Sequence, residues 1–258
     1  NYTQMSMLAE RNLYFDARDD IGAFMNPGFD DGAWENATPV GVAGQLPFGA
    51  LYSAIIDPIK FYEISEFSNA GDYVGKELTE NTTLELELPG NIQFTPYFAL
   101  EAPAGKRLTI YTDSYVDSDN NPNFKDTYVT AEGAQQFENF AWRSGSKLYI
   151  EAEAGVKFTA LGYRKSEFNG KWVGTFASEN EELNQLWQES LNTVAICMRD
   201  TYIDCPERER GPYMGDASNQ IDAALYGYDQ GGLDMTKKAI LSCLGWTPES
   251  GAIPSRAP

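Results

Sequence analysis

Between Asp200 and Gln220 the chain reads DTYIDCPERERGPYMGDASNQ, which sets four carboxylates, Asp204, Glu207, Glu209 and Asp216, beside Arg208 and Arg210. Pro206, Gly211, Pro212 and Gly215 interrupt helix propagation across this stretch. A compact irregular connection results, able to aim several side chains into one hollow. Asp204, Glu209 and Asp216 are then candidates for binding hydroxyls and moving a proton. The forked guanidinium of Arg208 could hold a neighbouring carboxylate or donate to a sugar oxygen. The same residues also have a plainer reading. Asp204 could be a turn residue, Asp216 the N-cap of a following helix, and Glu207, Arg208, Glu209 and Arg210 a solvated charge patch. Tyr202, Tyr213, Tyr226 and Tyr228 are either stacking platforms for a carbohydrate or, at helical spacing, core residues.

The rest of the chain limits which chemistry is open. Of 258 residues none is histidine, so His-based triads and the commonest metal ligand are excluded, leaving carboxylates, arginines and hydroxyls. The three cysteines, Cys197, Cys205 and Cys243, are too few and too irregularly spaced for a disulfide framework or paired metal-binding motifs. The stretch DSDNNPN at 117–123 has the oxygen content of a calcium loop without its glycine and terminal glutamate, and reads as a turn. No metal or cofactor is expected. A formal net charge of −19 argues against nucleic acid and anionic lipid as partners. No apolar run reaches the roughly 18 residues of a membrane-spanning helix, so membrane insertion is not expected.

The positioning elements follow from periodicity. Residues 1–56 are rich in turn signals and aromatics, as in NPGFDDGAWENATP, and read as the end of a β-rich accessory module. Over 57–168 the pattern is that of strands. TTLELELPG alternates leucine with glutamate, and YFALEAP, KRLTIYTDSY, DTYVTAEG, SKLYIEAEAG and KFTALGYRK are short, β-branched or aromatic, and separated by turns. This predicts an antiparallel β-sandwich. From 169 the period lengthens. Ser178 and Glu181 stand in capping-box positions ahead of a stripe of Leu183, Leu186, Trp187, Leu191, Val194 and Met198, with Trp187 a core residue. A second stripe holds Ile221, Ala224, Leu225 and Tyr228, and a third holds Leu233, Ile240, Cys243 and Leu244 before Gly245. Strands followed by consecutive helices predict segregated domains, and three amphipathic helices need neighbours to cover their apolar faces. The chain begins at Asn1 and stops in SGAIPSRAP, which reads as a piece of something longer.

The segment DTYIDCPERERGPYMGDA closely resembles the signature of the α-L-rhamnosidases, glycoside hydrolases with an (α/α)6 six-hairpin catalytic barrel behind β-sandwich domains. GKWVGTFASENEELNQLWQESLNTVAICMRDTY looks like the family's lead-in to that barrel, and LPGNIQFTPYFALEAPAGKRLTIYTDS is similar to its sandwich strands. NPGFDDGAWENATPV resembles the accessory galactose-binding-like module. The resemblance implies that residues 169–258 are the incomplete start of the catalytic domain. It further implies that Asp204, Arg208, Tyr213 and Asp216 line a rhamnose subsite and that Glu209 is the general acid. Many members place the acid one residue later, where this chain has Arg210; the shorter spacing also occurs in the family.

General-acid work near neutral pH calls for a carboxylic acid whose pKa is raised by burial or by like charge, which Asp204 and Asp216 could supply. The resemblance implies inversion, with a second carboxylate about 6.5–9.5 Å away activating water. That base comes in the family from a much later hairpin of the barrel, so the isolated chain is expected to be inactive and to need the remainder of the barrel as its partner, with rhamnosyl glycans or glycosides as substrates. Two other readings stay open: a carbohydrate-binding or scaffold module without catalysis, and a related exo-glycosidase of different sugar specificity. The compartment is not assigned, the periplasm or exterior being favoured over the cytoplasm.

Overall fold

The computed structural model describes residues 12–256 except 23, 46–48, 115, 117, 118 and 120. Eight strands are present among them: β1 (Tyr14–Asp16), β2 (Lys60–Glu66), β3 (Thr82–Ala102), β4 (Arg107–Thr112), β5 (Asp126–Val129), β6 (Gly133–Glu138), β7 (Arg143–Ala152) and β8 (Lys157–Glu167). Hydrogen bonds join them into one sheet in the order β1-β5-β4-β7-β3-β8-β2, with β6 also on β3. The contacts are antiparallel except between β1 and β5. β1 lies within the turn-rich first 56 residues, yet it extends this sheet along β5.

β3 explains the shape. Its first half pairs with β7, while its second half pairs with β6 on one side and β8 on the other. The register slips between Glu87 and Ile92, at the Leu-Pro-Gly-Asn stretch that cannot keep a regular ladder. Leu84 and Leu86 from before the slip and Phe94, Phe98 and Leu100 from after it enter the same buried cluster, so the sheet curls round onto one core. Leu108, Ile110, Leu148, Ile150 and Phe158 complete the interior by period-two alternation. Phe98 meets Tyr128 and Phe158 edge-on at 5.0 and 6.2 Å, the arrangement ring quadrupoles favour. Beside this apolar core, among the described residues, one ion pair is buried: Arg143 donates from Nε and Nη2 to the two Asp126 oxygens at 3.0 and 2.5 Å. Asn139 Nδ2 and the Leu13 amide fill the remaining acceptor positions at 2.7 and 2.8 Å.

Three helices follow: α1 (Glu181–Ile196), α2 (Met214–Gly227) and α3 (Gln230–Gly245). The N-cap of α1 is Asn180, whose side chain accepts from the Glu182 amide, and not Ser178. Ser178 instead accepts the Asn180 amide, shaping the turn that presents the cap. Asp229 caps α3 in the same manner as Asn180 caps α1. Phe168, Met198, Tyr202, Ala217, Ala224, Met235 and Ala239 form a second, smaller cluster. α1 buries no residue, and Trp187, expected in the core, is half-buried between the rings of Trp172 and Phe176 at 5.8 and 5.3 Å. A β region followed by helices is therefore the observed order. Among the described residues no helix is long and apolar enough to cross a membrane.

Candidate active site

The acidic connection begins where α1 ends. Arg199 and Thr201 make a tight reversal, and fully buried Tyr202 shares a 3.1 Å hydrogen bond with Thr236 of α3, which pins the near end of the loop to the helical core. The loop is then closed across its neck. Asp204 accepts the Gly211 amide through Oδ1 at 2.8 Å and its own amide donates to the Gly211 carbonyl at 3.0 Å. Asp204 thus closes a turn through one of its oxygens. Gln220 of α2 adds a bond from Nε2 to the Ile203 carbonyl at 2.8 Å.

Within that closed loop the charged side chains divide between two directions. Arg208, half exposed, donates to Glu209 Oε1 at 2.5 Å, so the guanidinium and the candidate acid are already side by side. The Glu209 amide donates to Cys205 Sγ at 3.3 Å. Glu207 and Arg210 go the other way, onto the sheet. Ser144 Oγ of β7 donates to Glu207 Oε1 at 2.7 Å, and Arg210 lies over the Trp142 ring, 3.5 Å from its centroid. Arg210 also donates to the carbonyls of Pro206 and Trp142 at 2.7 and 3.2 Å. A solvated charge patch does not describe these two residues.

Asp216 occupies the first turn of α2, where a carboxylate is favoured by the helix dipole, but it is not the N-cap. Tyr213 holds the cap position without a side-chain bond to the helix; its amide donates to the Gly211 carbonyl, and Arg256 reaches its hydroxyl at 3.3 Å. The Cys197 thiol, at the end of α1, is buried. Its pKa is pushed up to about 12, first by burial and then by the negative charge of Glu207, the Cys205 sulfur, Asp204 and Asp216. A cavity of about 200 Å³ opens beside the loop between Tyr202, Pro212, Met214, Lys238 and Trp246, and none of the five candidate residues lines it.

Residues 171–258 match the family model of the bacterial α-L-rhamnosidase six-hairpin glycosidase domain. This segment is similar to that glycosidase domain. Solved structures agree in fold. An α-L-rhamnosidase from Dictyoglumus thermophilum superimposes with a TM-score of 0.74 at 21% identity, over 97% of this chain and 28% of its own. The Streptomyces avermitilis α-L-rhamnosidase complexed with L-rhamnose gives 0.72 at 17% identity, over 97% and 24%. The GH78 rhamnosidase of Bacillus sp. GL1 gives 0.62 at 24% identity, over 68% and 19%. The chain thus spans between 19% and 28% of the length of these rhamnosidases. No curated protein sequence matches it.

The anchoring roles of Glu207 and Arg210 were not visible in the sequence, where they were two charges among six. Their partners lie 63 and 68 positions away on β7 and just before it, and no periodicity links such positions. The candidate calcium turn at 117–123 includes 117, 118 and 120, which lie outside the described residues. Among the described residues no group of three or more acidic or cysteine side chains is arranged to hold a metal ion.

Proposed function

We propose that the chain carries the general-acid half of an inverting α-L-rhamnosidase, a glycoside hydrolase that removes terminal α-L-rhamnosyl groups. The carrying observation is the coincidence of the matched segment, 171–258, with a loop that closes on itself and presents Arg208 and Glu209 as a pair. Glu209 is the proton donor to the glycosidic oxygen. Asp204, Arg208, Tyr213 and Asp216 bind the sugar's hydroxyls and ring, with one Asp204 oxygen committed to the Gly211 amide and the other free of that bond. The L-rhamnose in the Streptomyces avermitilis complex and the rhamnose bound by the Klebsiella oxytoca rhamnosidase support this choice of sugar. Residues 57–168 serve as the sandwich domain, 1–56 as the end of an accessory module and 169–258 as the start of the barrel.

Inversion needs a second carboxylate to activate water from the opposite face of the ring. We assign that base to a part of the barrel beyond these three helices, so the 258-residue chain alone is inactive. The full-length protein is expected to hydrolyse p-nitrophenyl α-L-rhamnoside, with the β-anomer appearing first by proton NMR. On an alkyl α-L-rhamnoside, Glu209→Gln should lower kcat by about 10²–10⁴-fold, the usual contribution of a positioned acid. Equal rates in the two proteins would remove the acid's role from Glu209.

A further inference from the structure

The loop that carries Glu209 is not held by the helical region alone. Two residues, one just before β7 and one near its start, grip it: the Trp142 ring and carbonyl take Arg210, and Ser144 takes Glu207. The residue between them, Arg143, is the buried partner of Asp126. The grip is therefore rooted in the sheet's own interior. Arg199, from the reversal after α1, adds to the seam by lying over the same Trp142 ring at 4.3 Å and donating to Gln93 of β3 and Ser166 of β8 at 2.5 and 3.1 Å. Gln93 returns a bond to the Ile196 carbonyl at 2.6 Å, at the end of α1.

The backbone shows what this grip sustains. Among the described residues Arg210 is the one non-glycine in the left-handed region, with φ at 50°, a conformation that costs a side-chain-bearing residue on the order of 1 kcal/mol. Arginine keeps it here because its guanidinium has fixed partners on both the loop and the sheet. A left-handed residue directly after Glu209 turns the chain sharply and so sets the direction in which the Glu209 side chain leaves the loop. We propose that Arg210, clamped on Trp142, is a positioning residue for the proton donor, and that the β region is thereby a working part of the hydrolase and more than a spacer. The inference rests on the assignment of Glu209 as the acid.

The test separates the two claims through the leaving group. A departing alkoxide needs the acid's proton, whereas 2,4-dinitrophenolate leaves without it, so misplacing the acid slows the first and spares the second. In the full-length protein, Arg210→Gly removes the clamp while relieving the left-handed strain, which keeps folding out of the comparison. The expected result is a fall in kcat of about 10²-fold on an alkyl α-L-rhamnoside, the scale of an ångström-level misplacement, with less than about threefold change on the 2,4-dinitrophenyl rhamnoside. Ser144→Ala and Trp142→Phe should give smaller losses with the same dependence on leaving group. Equal losses on both substrates, or none on either, would overturn the positioning role. Glu209→Gln run beside these variants must show the same dependence more strongly; if it alone lacks it, the acid assignment fails and takes the positioning role with it.

Discussion

The curled sheet and the helical region solve the same problem to different degrees. In the sheet, eighteen buried residues among those described, from β3 to β8, the turns between them and the connection between β2 and β3, form one cluster, with Leu84, Leu86, Phe94, Phe98, Leu148 and Phe158 fully out of water. In the helical region the cluster has seven members, three of them alanine, while Leu183, Leu186, Leu225, Leu241, Leu244 and Trp246 stay exposed. Helices draw most of their stability from a packed apolar face, so this region needs more neighbours than the described residues give it. The loop bearing the candidate acid belongs by sequence to the less finished half and by its anchors to the finished one. Anchoring a connection of this kind on the rigid partner is what a half-covered helical unit requires if its geometry is to be reproducible.

The sharpest way to break this comparison is to damage the sheet at its polar centre. Arg143 is 4% and Asp126 2% exposed, and removing one member of such a pair leaves a buried charge uncompensated. Arg143→Met should cost about 3–5 kcal/mol in urea unfolding. The pair Lys147–Glu85, with both side chains at least 40% exposed, should give no more than about 1 kcal/mol when Lys147 becomes Met. If the two variants lose equal stability, the sheet is not organised around a dry interior with one ion pair set into it.

A smaller effect sharpens the helical side. At Gly227, which ends α2, an added Cβ would lie 2.0 Å from the Trp172 ring. That ring has little room to yield, because Nε1 donates to the Gly174 carbonyl at 2.8 Å and the ring meets Tyr228 edge-on at 5.0 Å. Gly227→Ala should therefore destabilise by about 1–3 kcal/mol. At Gly215 in the first turn of the same helix nothing lies within 4 Å of the added carbon. Gly215→Ala should stabilise by about 0.4–1 kcal/mol, and thermal unfolding of the pair reads both signs in one experiment.

What the sequence disclosed depended on distance along the chain. The alternation of TTLELELPG and the stripes of α2 and α3 are local patterns, and each element formed where its period put it. That 82–102 is one strand was not legible, because Pro89, Gly90 and Pro96 read as breaks, yet β3 accommodates them by slipping register and by changing neighbours midway. β6 was missed as well. Its sequence, GAQQFE, is polar, and its turn is held by Gln135, which accepts the Tyr128 hydroxyl and the Ala131 amide at 2.9 Å, a bond pattern no propensity anticipates. At the site, the acids and Arg208 stood out by type and by resemblance, and Arg208 does meet Glu209. The sheet's hold on Glu207 and Arg210 depends on the chain returning after some sixty residues, and only the fold supplies that.

The smallest expected effect lies at high pH and tests whether the two regions share a stability limit. Burial pushes Tyr128 in the sheet and Tyr228 beside α3 up to about 12, and Cys197 at the end of α1 likewise. In the unfolded chain these groups ionise near their ordinary values, about 10 for tyrosine and 8.5 for cysteine. The folded state holds the protons longer, so stability is fully present below those values and falls as pH rises toward 12. Cys197 enters first, which places the onset in the helical region. The cost from this thiol should therefore begin near pH 8.5–9, ahead of the tyrosine contribution from the sheet. Cys197→Ala removes the earlier step and leaves the later one, so the urea midpoint of the variant should stay level between pH 8 and about 9 where that of the parent declines. Parallel decline in both would show that the thiol's burial does not contribute to the alkaline limb, and would leave the tyrosines of both regions to account for it together.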